Sequence, residues 1–278
     1  MLNMHVIKEV EFEQDQFLSP IFTVPKKNTT EHRMILNLKE LNQHIQYYHF
    51  KMETFESAIK LIKPNVFMAS VDLRYAYYSV HIHEHDQTML KFQWKGKIFQ
   101  YTCLLNGINS APRLFTKLLK PVYSTLRQYG QKNVGYIDDS LLVGDNYTEC
   151  EVNVSETTML FEHLGFIIHE IKSVFIPSQR VTFLGFEIDS VRMVVTLPKC
   201  KMDMIKNECL KLLEKPTCTI RTVASIIRLF ISTFPAVEFG PFHYRQLERQ
   251  KISALKNPCG NFDSIMVITD DMKKELRW

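Results

Sequence analysis

"VGYIDDSLLVG", residues 134–144, sets Asp138 and Asp139 side by side between two short apolar runs. Runs of this length, rich in Val, Leu and Tyr, predict two strands, with the acids at the turn between them. A turn can favour Asp simply because its side chain bonds nearby backbone. Asp72 makes a second reading possible. It ends "FMASVD", where the apolar pattern of a buried strand stops. A strand ending in Asp and a hairpin tipped with Asp-Asp can lie as neighbours in one sheet, bringing three carboxylates to one edge. Two such charges about 4 Å apart repel by roughly 4 kcal/mol at an effective dielectric of 20. The cluster is costly unless cations neutralise it, and oxygen-only ligands select hard ions such as Mg²⁺. Two Mg²⁺ ions about 3.5–4 Å apart suit nucleotidyl transfer.

The rest of the 278 residues is compatible with that chemistry. Hydrophobic content is 45% and charged content 23%, ordinary for a globular chain. There is no apolar run long enough for a membrane span and no signal-peptide core, so an intracellular location, cytoplasmic or nuclear, is expected. Net charge is +4. Residues 21–51 hold five Lys/Arg and two Asp/Glu, and residues 193–251 hold ten and five, nets of +3 and +5. Two basic zones flanking a balanced middle suit a phosphate backbone, although charged faces are often only solvated. The six cysteines have no zinc-ligand spacing and read as reduced thiols. His81, His83 and His85 alternate as H-x-H-x-H but lack a fourth ligand, so they are not assigned to metal.

Periodicity predicts an α+β chain. "SPIFTVPKK" and "HRMILNL" read as a hairpin, as do "TMLKFQW" and "KIFQYTCLL" around Lys95-Gly96. Thr54–Lys63 reads as a helix. A second helix is expected to start at a Ser110 cap, bury Leu114, Leu118, Val122, Leu126 and Tyr129, and kink at Pro121. Thr148 and Glu151 suggest a capping box for a helix ending at Gly165. "RVTFLGFEI" and "MVVTL" read as two strands, after which the pattern turns helical. The boundary is expected near residue 193.

Five segments in collinear order resemble the polymerase domain of reverse transcriptases, over about residues 19–250. "FMASVDLRYAYYSV" resembles the first metal-binding motif, "YIDD" the second, and "GINSAPRLF" the segment between them. "VTFLGFEI" resembles the primer grip, and "IFTVPKKNTTEHRMILNLKELN" the fingers hairpin. The tail "TIRTVASIIRLFISTFPAVEFGPFHYRQLERQK" is most similar to retrotransposons of the DIRS type. The resemblance implies a right-hand polymerase. Residues 1–192 would form fingers (mainly 1–66 and 80–105) and an antiparallel-sheet palm (mainly 67–79 and 106–192). Residues 193–278 would form a helical thumb and the start of a truncated connection.

It also implies roles. Asp72, Asp138 and Asp139 would hold two Mg²⁺ ions, with Mn²⁺ a substitute and the Leu73 carbonyl a further ligand; Asp139 is the less direct of the acids. Lys172 would protonate the departing pyrophosphate, or only contact phosphate. Lys26 and Arg33 would clamp the triphosphate, with Lys27 the alternative if the register slips. Tyr77 would exclude the ribose 2′-hydroxyl. Asn106 would face nucleotide or template, with chemistry altered from relatives, as it is at Asn37 and Lys39. Tyr136 would sit beneath the primer end, or be simply a half-buried strand aromatic. Phe183, Leu184 and Gly185 would turn the primer toward the metals, and Arg221, Arg228 and Arg245 would meet the duplex backbone. The implied activity is RNA-directed DNA synthesis from dNTPs on a primed RNA or DNA template, without RNase H cleavage. The alternatives are an inactive, truncated nucleic-acid-binding remnant and an RNA-dependent RNA polymerase, the latter disfavoured by Tyr77.

Overall fold

The computed structural model describes residues 1–25, 32–256 and 260–278, excepting the Arg33 side chain. The chain divides into two compact units, residues 1–62 with 67–178, and residues 63–66 with 179–278. The division falls ahead of the change in pattern near residue 193, because a three-stranded sheet within residues 180–196 has all its strand partners in the second unit.

The first unit contains strands β1 (Ile7–Val10), β2 (Ile21–Pro25) and β3 (His32–Leu36), then the short helices α1 (Leu41–His44) and α2 (Phe55–Ile59). Strand β4 (Phe67–Arg74) follows, then α3 (Glu84–Gln87), β5 (Lys91–Trp94) and β6 (Lys97–Tyr101). It ends with α4 (Ala111–Gln128), β7 (Lys132–Tyr136), β8 (Asp139–Gly144), α5 (Tyr147–His163), β9 (Ile167–Ile168) and β10 (Val174–Ser178). Both expected hairpins form. Strands β2 and β3 pair antiparallel from Ile21 opposite Leu36 to Pro25 opposite His32. Strands β5 and β6 meet at Lys95-Gly96, both at positive φ, as a two-residue turn between right-twisted strands requires.

The sheet that carries the acids runs β10-β4-β8-β7, with β9 also paired to β4. Helices α4 and α5 contribute Phe115, Leu119, Val122, Cys150, Val154 and Phe161 to the core shared with Ala69, Val71, Leu73 and Leu142 of its central strands. That cover buries one face; Met68, Leu141 and Val143, on the other face, are buried too, and with both faces covered β4 and β8 read as apolar runs rather than alternating strands. Two glycines permit the close approach. A Cβ on Gly135 would lie 2.1 Å from the Tyr123 ring, and one on Gly144 would lie 2.2 Å from the Cys150 backbone nitrogen. The Tyr123 ring in turn shares a 2.6 Å hydroxyl hydrogen bond with Ser140 of β8. The outer edge of β7 is blunted by Glu53, which accepts from the Gly135 N–H at 2.7 Å and pairs with Arg127 at 2.6 Å.

Several local expectations are corrected. Helix α4 buries Ala111, Phe115, Leu119, Val122, Tyr123 and Leu126, leaving Leu114, Leu118 and Tyr129 exposed. The buried stripe is rotated by one residue in its first half, because Phe115 and Leu119 fill the sheet core and periodicity cannot say which of two adjacent apolar rows does so. Ser110 makes no side-chain cap bond. Helix α5 is capped by Asn146, whose Oδ1 accepts from the Glu149 N–H at 2.9 Å, rather than by Thr148 and Glu151. Helix α2 has its capping box at Thr54 and Ser57 and ends at Ile59.

The second unit contains β11 (Arg180–Phe183), β12 (Phe186–Asp189), β13 (Val194–Thr196), α6 (Lys199–Leu213), β14 (Thr217–Thr219), α7 (Ile220–Ile231), α8 (Arg245–Lys256), β15 (Ile265–Val267) and α9 (Asp270–Arg277). "RVTFLGFEI" is a hairpin rather than one strand. Phe183 faces Phe186 across a turn made by Leu184 (φ 49) and Gly185 (φ 77). The core packs α6, α7, α8 and α9 through Leu212, Ile220, Val223, Ile227, Leu247, Met272 and Leu276.

Candidate active site

The antiparallel register of β4 and β8 sets Asp72 directly opposite Asp139. Directly opposed residues project from the same face of the sheet. Both acids therefore lie on one face, close enough for the Asp72 charge to act on Asp139. Asp138 occupies the two-residue turn with Ile137, and its carbonyl accepts from the Leu73 N–H at 2.8 Å. Ile137 has φ 55, unusual for a β-branched residue and worth on the order of 1–3 kcal/mol of strain. It is held there by the ladder on both sides and by packing of its side chain against the sheet core.

Charge and burial act together on the acids. Asp139 is pushed up to about 6 by burial, then by the negative charges of Asp138 and Asp72. Burial and the Asp72 charge also raise Asp138, against its own backbone N–H and Lys172. The Lys172 Nζ lies 3.3 Å from Asp72 Oδ2. Tyr77, in the 3-10 turn after β4, is pushed up to about 12, chiefly by burial and then by Asp138 and Tyr136. Its ring packs edge-on against Phe115 at 5.5 Å between centroids. The fold therefore brings Asp72, Asp138, Asp139, Lys172, Tyr77 and Tyr136 to one place.

Among the described residues, no group of three His, Cys, Asp or Glu side chains is arranged to hold a metal ion as it stands. The fit to a hard divalent cation is instead chemical. The donors are all oxygen and the charges repel, a repulsion that a cation held among them would relieve.

Other expected residues stand elsewhere. Lys26 and its alternative Lys27 lie outside the described residues; Arg33 is in β3 opposite Val24. Asn106 is exposed in the turn before α4. Asn42, which the sequence analysis passed over, holds that turn. Its Nδ2 donates to the Gly107 carbonyl at 2.8 Å, and its Oδ1 accepts from the Asn109 N–H at 2.9 Å. In the second unit, Phe183 is buried, while Leu184 and Gly185 form the hairpin tip. Arg221 is engaged by both carboxylate oxygens of Asp263, at 2.7 and 2.9 Å.

A two-carboxylate strand pair with a third acid at its turn has the donor chemistry that two-metal nucleotidyl transfer requires. Residues 24–188 match the family model described as reverse transcriptase (RNA-dependent DNA polymerase), and the chain belongs to that family. It is 26% identical over 169 residues to the transposon Tf2-3 and Tf2-4 polyproteins of Schizosaccharomyces pombe, which covers 61% of this chain and 12% of each polyprotein. The chain thus spans about an eighth of the length of these relatives. Among solved structures it is similar to a foamy viral protease-reverse transcriptase in complex with double-stranded DNA, with TM-score 0.78, 22% identity, and coverage of 99% of this chain and 44% of that one. The same protein with an RNA/DNA hybrid gives TM-score 0.72 at 22% identity, covering 98% and 34%. These likenesses show the fold, an α+β right-hand polymerase, as the sequence predicts.

Proposed function

We propose that the chain is the RNA-directed DNA polymerase of a retrotransposon, extending a primer on an RNA or DNA template with dNTPs. The observation that carries this reading is the Asp72–Asp139 register with Asp138 at the adjoining turn, in a chain of this family. In the reaction the primer 3′-hydroxyl loses its proton to water and its oxygen bonds to the α-phosphorus. The bond between the α-phosphorus and the bridging oxygen breaks, and pyrophosphate leaves with a proton from Lys172. Asp72 and Asp138, helped by Asp139 and the Leu73 carbonyl, would hold Mg²⁺ or Mn²⁺, which would activate the hydroxyl and neutralise the leaving group.

The remaining roles follow the chain's own residues. Tyr77 stands beside Asp138, where a ring blocks a ribose 2′-hydroxyl, and Tyr136 supports the primer end. Lys26 and Arg33 clamp the triphosphate, and Asn106 faces nucleotide or template. The Phe183–Gly185 hairpin guides the primer as a primer grip. In this assignment residues 1–192 form fingers and palm, and residues 193–278 begin the thumb and connection. The tail's resemblance favours an element of the DIRS type, which a tyrosine-recombinase frame beside the gene would support. No described helix is long and apolar enough to cross a membrane, and we place the protein in the cytoplasm or nucleus.

Primer extension on an RNA template tests the reading. The wild type should incorporate dNTPs in Mg²⁺, and Asp138→Asn should reduce incorporation at least about a hundredfold; extension by that variant at the wild-type rate would refute the metal assignment. A second reading is nucleic-acid binding without chemistry. Template–primer binding with no extension in Mg²⁺ or Mn²⁺ would select it.

A further inference from the structure

Strand β4 changes partners at the position of its acid. Upstream, β10 pairs with it at Met68 and Ser70; downstream, β9 pairs with Leu73 and Arg74. Between them Asp72 faces the turn His169–Ser173, where no strand supplies a continuous ladder. Its backbone groups, buried with the residue, still require partners. The Asp72 carbonyl accepts from the His169 N–H at 2.8 Å. The Asp72 N–H donates to the Ser173 Oγ at 3.0 Å, a side-chain oxygen standing in for the missing strand carbonyl. The turn is closed by the N–H groups of Lys172 and Ser173, which donate to the His169 carbonyl at 3.1 and 3.0 Å.

We propose that Ser173 is a positioning residue that fixes the Asp72 carboxylate against the Lys172 ammonium. Ser173 follows Lys172 directly, and the Lys172 Nζ reaches Asp72 Oδ2 from an otherwise exposed, flexible side chain. The Ser173–Asp72 bond is the second tether between this turn and the acid, beside the one from His169. Without it, the turn between Ile168 and Val174 is tied to the Asp72 backbone by the His169 bond alone, and the Asp72 N–H is left an unsatisfied buried donor. Ser173 touches neither substrate nor reacting atoms and acts through the two residues that do. The kinetic part of this inference rests on the polymerase reading; the part concerning Asp72 does not.

The test compares Ser173→Ala, Ser173→Val and Ser173→Thr. Threonine keeps the acceptor oxygen, while valine has threonine's shape without it. Three quantities are measured: single-turnover extension, Mn²⁺ binding by electron paramagnetic resonance, and thermal melting. Ser173→Ala and Ser173→Val should each lower the maximal rate about tenfold and weaken Mn²⁺ binding about tenfold, with the KM for dNTP within about twofold of wild type. Ser173→Thr should restore both to within about threefold. Equal losses in Thr and Val, unaltered rate and Mn²⁺ binding in Val, or a lower melting temperature with both readouts intact would each overturn the proposal. A wild type that extends no primer while Val still binds Mn²⁺ more weakly than Thr would remove the polymerase reading and leave the positioning of Asp72 standing.

Discussion

Asp72 and Asp139 face each other across β4 and β8, so that two negative charges meet on one face of the sheet. Burial and neighbouring charge both oppose ionisation of Asp139, and this has a consequence for stability. An acid raised from its usual range to about 6 in the folded state binds more protons folded than unfolded. Stability should therefore fall as pH rises from about 4 to about 6, and the penalty should stay in place above that. Melting curves in EDTA, wild type against Asp139→Asn, should diverge across that window, with the variant the more stable at pH 8. Parallel curves would contradict the assigned repulsion.

Tyr77 is expected to control sugar selection. Tyr77→Val removes the ring beside Asp138 and should raise rNTP incorporation relative to dNTP at least about tenfold, whereas Tyr77→Phe keeps the ring and should leave the ratio near wild type. The edge-on contact with Phe115 is lost with the ring, so Tyr77→Val should also melt lower. Competition assays with mixed nucleotides measure the ratio directly.

Gly135 is fixed by packing rather than by backbone conformation. Gly135→Ala would drive a methyl group into the Tyr123 ring and disturb its bond to Ser140. The cost should be about 1–3 kcal/mol. Because the conflict is with one side chain, Gly135→Ala combined with Tyr123→Ala should cost less than the sum of the two single changes, as chemical denaturation of the four proteins would show.

Lys91 is almost fully buried and its ammonium pairs with the more exposed Glu13 at 2.7 Å. Removing the partner leaves a buried charge, while removing the charge leaves no ion to be compensated. Glu13→Gln should therefore destabilise by about 1–3 kcal/mol, and Lys91→Met should be close to neutral. The ranking of denaturation midpoints decides it.

Much of this was legible in the residues. The "YIDD" turn, the strand that carries Asp72 (which runs on to Arg74 rather than ending at the acid), the Lys95-Gly96 hairpin and the helix from residue 111 are written in local signals of turn chemistry and periodicity. The site's supporting atoms were not. Ser173 and Asn42 are ordinary small polar residues in sequence, and their roles come from backbone groups far along the chain that any residue type would offer. Glu53 reads as one acid among many, yet it closes the edge of β7.

The sequence by itself determined the family, the order of the motifs and the identity of the three acids, because these depend on residue type and spacing along the chain. Only the tertiary structure decided that Asp139 is the residue facing Asp72, which row of α4 is buried, and that Leu184-Gly185 turns a hairpin. Strand register and the choice of buried face are set by packing between distant segments, where a shift of one residue alters which groups meet while barely changing the local pattern.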